Sequence, residues 1–172
     1  MGHSFRLSPD EYSEKDLNEL EEKIGVRFQD QVLLIKAVIR SAYVKEVKDK
    51  QPDSEREDNE RLEFLGDSVL ELAVRHYLYE KYEEPEGILS KKTDDLVCED
   101  NLTRVADCLD LGKYLFLGGT EVSDERGKPA ILADALEAII AGVYLDQGLC
   151  KAVEVVEKLV LPYECIKKGV CG

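Results

Sequence analysis

Basic residues are scarce in this chain: 23 Lys and Arg stand against 37 Asp and Glu, leaving 172 residues with a net charge of −14. Phosphate binding normally gains from Lys and Arg, so the deficit argues against nucleic acid as a first guess for the partner. No uninterrupted apolar run approaches the roughly 18 residues a membrane span needs, so no membrane partner is expected. The five cysteines (Cys98, Cys108, Cys150, Cys165, Cys171) include no C-x-x-C pair, and no His stands at zinc spacing, which argues against a zinc site. Their odd number and the lack of an apolar signal segment fit reduced thiols in a soluble, cytoplasmic protein. Nothing points to an organic cofactor. Alternation with period two and internal repeats are also missing, so the expected fold class is all-α.

What is present is helical periodicity over one domain's worth of chain. At 44 % apolar residues, the 172 positions are enough to bury a core. A first helix is predicted over 13–23, with Leu17, Leu20 and Ile24 on one side and Gly25 as its stop. Asp30 is a candidate N-cap for a second, continuous helix running toward Val47. Residues 49–58 are polar, contain Pro52 and read as an exposed loop. A long helix is expected over 59–82, broken by Pro85 and Gly87. Shorter helices follow over 88–97 and 101–109, the latter closed by Gly112. The stretch 111–128 reads as irregular. A very apolar helix is predicted over 129–146, with Pro129 in its first turn and Gly148 at its end, and a last one over 150–161. Residues 1–12 and 166–172 are read as tails around a domain spanning 13–165.

Two of these helices carry carboxylates in a pattern that solvation alone does not explain. With Glu60 at 0° on a helical wheel, Glu63 falls at about 300° and Asp67 at about 340°, one narrow acidic stripe. Leu62, Leu65, Val69 and Leu72 fall on the opposite side, and Gly66 beside the stripe lets another backbone come close. Acids at i, i+3 and i+4 repel each other, and no Lys is interspersed to relieve them. Between Ile131 and Leu145 the only charged residues are Asp134 and Glu137, on one face of a helix apolar enough to be buried on most sides. Buried carboxylates cost several kcal/mol each unless something pairs them. That helix offers no basic partner, so a divalent cation is one solution and structural acids with raised pKa values are the other. Oxygen-only ligands suit Mg²⁺, with Mn²⁺ able to substitute, and five carboxylates are more than one ion needs, which favours two-metal hydrolysis or one ion with an acid–base group. The requirement is plain: the two acid pairs must meet, with no basic side chain already neutralising them.

The segment Asn59–Leu70, NERLEFLGDSVL, resembles the signature of the ribonuclease III family, and ILADALEAIIAGVYLD at Ile131–Asp146 resembles its second conserved stretch. The flanks IGVRFQDQVLLIKAV (Ile24–Val38) and LGKYLFLGGTE (Leu111–Glu121) are similar to family segments as well. The resemblance implies an all-α endonuclease domain that acts as a homodimer on double-stranded RNA in RNA processing, leaving 5′-phosphate and 3′-hydroxyl ends with a short 3′ overhang. By position it implies Glu63, Asp67, Asp134 and Glu137 as metal ligands, with Asp67, Glu137 and Glu60 catalytic. Phe64 matches the aromatic that plugs into the partner subunit, and Glu86 matches an acidic residue near bound RNA. Lys91, Lys92, Arg126 and Lys128 are candidate phosphate contacts, as are Arg40, Lys45 and Lys48.

The chain departs from the family pattern where Arg40 replaces a His, Ala42 a Ser and Thr93 an Arg. A double-stranded-RNA-binding domain does not fit in the eleven residues after Leu161, which leaves a stand-alone nuclease domain or a piece of a longer protein. Two competing readings are a catalytically inactive module of this fold that binds structured RNA or ribosomes, and a purely structural helical domain. The complete acid set counts against the first, and Asp134 and Glu137 in so apolar a helix count against the second.

Overall fold

A computed structural model describes residues 14–54, 57–118 and 128–162. In chain order these residues form α1 (Glu14–Ile24), α2 (Gln31–Ala37), α3 (Ser41–Lys50), α4 (Glu60–Lys81), α5 (Glu86–Val97) and α6 (Glu99–Cys108). A 3₁₀ turn (Leu111–Tyr114), α7 (Pro129–Gln147) and α8 (Leu149–Leu159) complete them. Among the described residues there is no strand, only one isolated parallel bridge between Ile39 and Phe116. The all-α expectation is met.

The apolar helix α7 lies at the centre, packed by α2, α4, α6 and α8. Its composition explains the placement: eleven of its residues, from Ile131 to Val143, are buried, and in that stretch only Asp134 and Glu137 keep partial access to water. α4 crosses it with Leu62, Val69, Leu70, Ala73, Val74 and Leu78 turned inward. The approach is closest at Gly66, where a Cβ would stand 1.9 Å from the Glu137 carbonyl oxygen. Any larger residue would push the two helices apart.

The expected single helix from Asp30 toward Val47 is two. Asp30 caps α2 as predicted, its side chain accepting from the Val32 N–H. The helix then stops at Ala37, because the next residues spend their backbone groups elsewhere. Phe116 N–H donates to Val38 O, Arg40 N–H to Phe116 O, and Asn59 N–H to Ile39 O. These bonds tie the α2–α3 junction to Phe116 and to the start of α4, a tertiary demand that local periodicity does not contain. α5 begins earlier than expected, at Glu86, with Gly87 inside it. α6 ends on Asp110 in the left-handed region (φ 52°) rather than on Gly112. Gly25 (φ 86°) and Gly148 (φ 84°) end α1 and α7 as predicted, in a backbone region that other residues enter only with strain. The predicted tails 1–12 and 166–172, and residues 119–127 of the stretch expected to be irregular, Arg126 among them, lie outside the described residues.

Candidate metal centre

Glu60 and Glu63 occupy the first turn of α4, where the helix dipole favours negative charge. That turn is fixed by two neighbours. The Asp58 carboxylate accepts from Glu60 N–H, and the fully buried Asn59 donates its side-chain amide to Ala37 O. Asp67 follows one turn further on, past the Gly66 contact. That contact lays the acidic stripe of α4 directly against the one polar stripe of α7.

The result is a cluster. One carboxylate oxygen each from Glu63, Asp134 and Glu137 lies within 4.8 Å of the others, and all three side chains are half-buried. Asp67 is more exposed but near enough that its charge acts on both Glu63 and Glu137. Glu60 is exposed at the edge and acts on Glu63. The two pairs of acids, 67 to 74 positions apart in sequence, therefore meet.

Their electrostatics are those of crowded anions. Burial pushes the Glu137 carboxyl up to about 8, reinforced by the charges of Asp67, Asp134 and Glu63. Glu63 is raised as well, by burial first and then by Asp134, with Arg40 pulling the other way. Glu63 and Glu137 thus keep protons more readily than free carboxyls do, and a cluster of this kind suits exchange of protons for a divalent cation. The donor set is all oxygen, which fits a hard ion.

One feature contradicts the sequence-based expectation. A basic side chain does reach the acids: Arg40 Nη1 donates to Asp134 Oδ2 at 2.8 Å. It arrives from the α2–α3 junction rather than from either acidic helix, so a reading confined to those helices misses it. Arg40 cancels one charge and leaves Glu63, Asp67 and Glu137 without a basic partner among the described residues. The cluster stays acidic.

The remaining predicted residues fall elsewhere. Phe64 stands 80 % exposed on α4. Lys92 is sequestered, paired with Glu84 at 2.5 Å and lying 3.6 Å over the Tyr82 ring, so its role as a phosphate contact would require breaking that pair. Lys45, Lys48, Lys91 and Lys128 are exposed. Glu86 is exposed at the start of α5, accepts from Ser90 Oγ and lines a cavity of about 470 Å³ with Arg75, Leu78, Tyr79 and Leu89. That cavity was not foreseen. Its one sequence signal is the spacing of Phe64, Leu72 and Tyr79, which share an exposed stripe of α4 opposite the core.

Comparison with known proteins places this arrangement. The Ribonuclease-III-like family profile matches residues 30–163, which includes every acid of the cluster. The chain belongs to the ribonuclease III family. It is 49 % identical to ribonuclease 3 of Bacillus cereus over 144 residues, 83 % of this chain and 57 % of that protein. With ribonuclease 3 of Geobacillus kaustophilus it shares 44 % identity over 146 residues, covering 84 % of this chain and 58 % of that one. The chain thus spans a little over half the length of these ribonuclease III relatives. Among solved structures it resembles the nuclease domain of ribonuclease III from Campylobacter jejuni, with a TM-score of 0.75 and 35 % identity. That match covers 85 % of this chain and 99 % of that one, a structure described for flexibility in its dimer-forming region. A second structure of that domain matches with a TM-score of 0.73 and 33 % identity over 92 % of this chain and 98 % of the other. No helix among the described residues is long and apolar enough to cross a membrane.

Proposed function

We propose that this chain is a Mg²⁺-dependent endoribonuclease domain that cuts both strands of double-stranded RNA as a homodimer. The observation that carries the reading is the convergence of Glu63, Asp134 and Glu137 within 4.8 Å on two helices pressed together at Gly66. Glu63, Asp67, Asp134 and Glu137 would hold the ion. When bound, Mg²⁺ supplies an activated water and neutralises the charge that develops on the leaving 3′ oxygen. The protein's own residues do the rest. The rigid α4–α7 contact fixes the carboxylates against the phosphodiester. Asp67 and Glu60, on the open side of the cluster, orient the attacking water. Glu137 would give up, on binding the ion, the proton that burial and its acidic neighbours let it keep in the ion-free cluster. Water attack at phosphorus with departure of the 3′ oxygen leaves a 5′-phosphate and a 3′-hydroxyl. A-form RNA is read by shape through phosphates and 2′-hydroxyls, so no base-reading element is required.

The homodimer follows from the face α4 leaves uncovered. Phe64 (80 % exposed), Leu72 (52 %) and Tyr79 (77 %) are costly to leave in water together. A two-fold axis crossing α4 near Leu72 would run the two α4 helices antiparallel, with Phe64 and Tyr79 each roughly 10–12 Å from it. Phe64 would then meet the cavity beside Tyr79 of the partner subunit. We place this enzyme in the cytoplasm, where thiols such as Cys98 and Cys150 stay reduced.

The test is to incubate the purified chain with long double-stranded RNA, with and without Mg²⁺, at low and moderate salt. Cleavage that requires the ion and yields 5′-phosphate ends is the expected result. The Arg40–Asp134 pair is the one observation favouring a non-catalytic RNA-binding module instead. RNA binding without cleavage under every condition would establish that alternative.

A further inference from the structure

We propose that Arg40 is a resident counter-ion that competes with a divalent cation for Asp134, setting the ion affinity of the cluster below what its carboxylates alone would give. The inference rests on the metal-centre reading above and adds a residue that this reading does not use.

The ion pair is built into the fold. Arg40 and Asp134 are 19 % and 25 % exposed, so their attraction is only weakly screened by solvent. The backbone beneath Arg40 is pinned on both sides, its N–H donating to Phe116 O and its carbonyl accepting from Val44 N–H. The guanidinium can leave Asp134 only by turning its own side chain. It is also incompletely satisfied: Arg40 Nε is buried with no hydrogen-bond acceptor among the described residues. A single terminal nitrogen therefore carries the contact, a weaker hold than the bidentate fork an arginine makes with a carboxylate. A cation entering among Glu63, Asp134 and Glu137 must either displace this guanidinium or bind beside its positive charge. Both routes weaken binding, and Arg40 acts on Glu63 in the same sense.

The experiment is calorimetric titration of the whole chain with Mg²⁺ and with Mn²⁺, without RNA, for wild type, R40Q, R40K, D134N and E63Q. R40Q should bind Mn²⁺ about tenfold tighter, and R40K should stay within about threefold of wild type. In chelator R40Q should melt lower than wild type, and its gain on adding Mn²⁺ should be larger. Should R40Q not fold, the aspartate comparison decides: D134N should cost less ion affinity than E63Q, because Asp134 is already engaged. Wild-type binding that E63Q abolishes, with R40Q unchanged or weaker, overturns this inference alone. Equal losses in D134N and E63Q overturn it likewise. An absence of ion binding in wild type, or binding indifferent to E63Q, sinks the metal centre and this inference together.

Discussion

Glu137 is where burial and charge oppose each other most. A carboxyl half removed from water, facing Asp67, Asp134 and Glu63, is held in its protonated form up to a pH of about 8. In chelator, Glu137→Gln should therefore raise the melting temperature at pH 8, because the amide keeps the shape and removes the repelled charge. The same substitution should lower Mg²⁺-dependent RNA cleavage at least 1,000-fold, on the order expected when a group acting on the reaction itself is lost. Asp67→Asn should do likewise with little change in melting, since Asp67 is exposed. Cleavage within tenfold of wild type in either variant would remove these residues from the chemistry. Gly66 tests the scaffold instead. Its added Cβ would meet the Glu137 carbonyl at 1.9 Å, a backbone atom that cannot swing aside. Gly66→Ala should destabilise by about 3 kcal/mol, lowering the melting temperature by about 6–12 °C. An unchanged melt would mean that α4 and α7 approach less closely than described.

At the scale of elements, the site is a crossing of two helices, and a third segment comes with it. The bonds from Val38, Ile39 and Arg40 to Phe116 and Asn59 end α2, start α3 and deliver the Arg40 side chain to α7. One network thereby sets both the helix break and the charge balance of the cluster. The exposed stripe of α4 works at the same scale. Phe64→Ala should weaken self-association by about tenfold or more, as truncating an aromatic anchor does at an interface centre. Sedimentation over a concentration series measures it. An unchanged dimer affinity would place the interface elsewhere, and the cavity beside Tyr79 would need another occupant.

For the whole molecule, the net charge of −14 is the governing fact. An unliganded acidic cluster inside an acidic protein makes stability depend on pH in a definite direction. The unfolded Glu137 carboxyl titrates near its ordinary value of 4.5 and the folded one at about 8. Between these values the folded chain keeps a proton that the unfolded chain has lost, so stability in chelator falls as pH rises from about 5 to 8. Glu63, also raised, adds in the same sense. Melting curves in chelator across that range should show a drop of at least roughly 3 °C, on the order of 1 kcal/mol, and a clearly smaller one in Glu137→Gln, where only Glu63 contributes. Adding Mg²⁺ at pH 8 should recover it. A stability that rises with pH over this window would contradict the crowding of these acids.

The sequence alone determined the helical class, most helix limits and the pairing of acids within each helix. Those follow from periodicity, caps and the desolvation cost of Asp134 and Glu137, all of which act over a few residues. Gly66 was legible too, as a gap beside the acidic stripe. Only the tertiary structure decided that Val38–Arg40 breaks a continuous apolar pattern, because the competing hydrogen bonds come from Phe116 and Asn59. It alone revealed that Lys92 is paired with Glu84 and that Arg40 reaches Asp134 across 94 positions. A charge's partner is set by where the backbone carries it, and no local spacing encodes that distance.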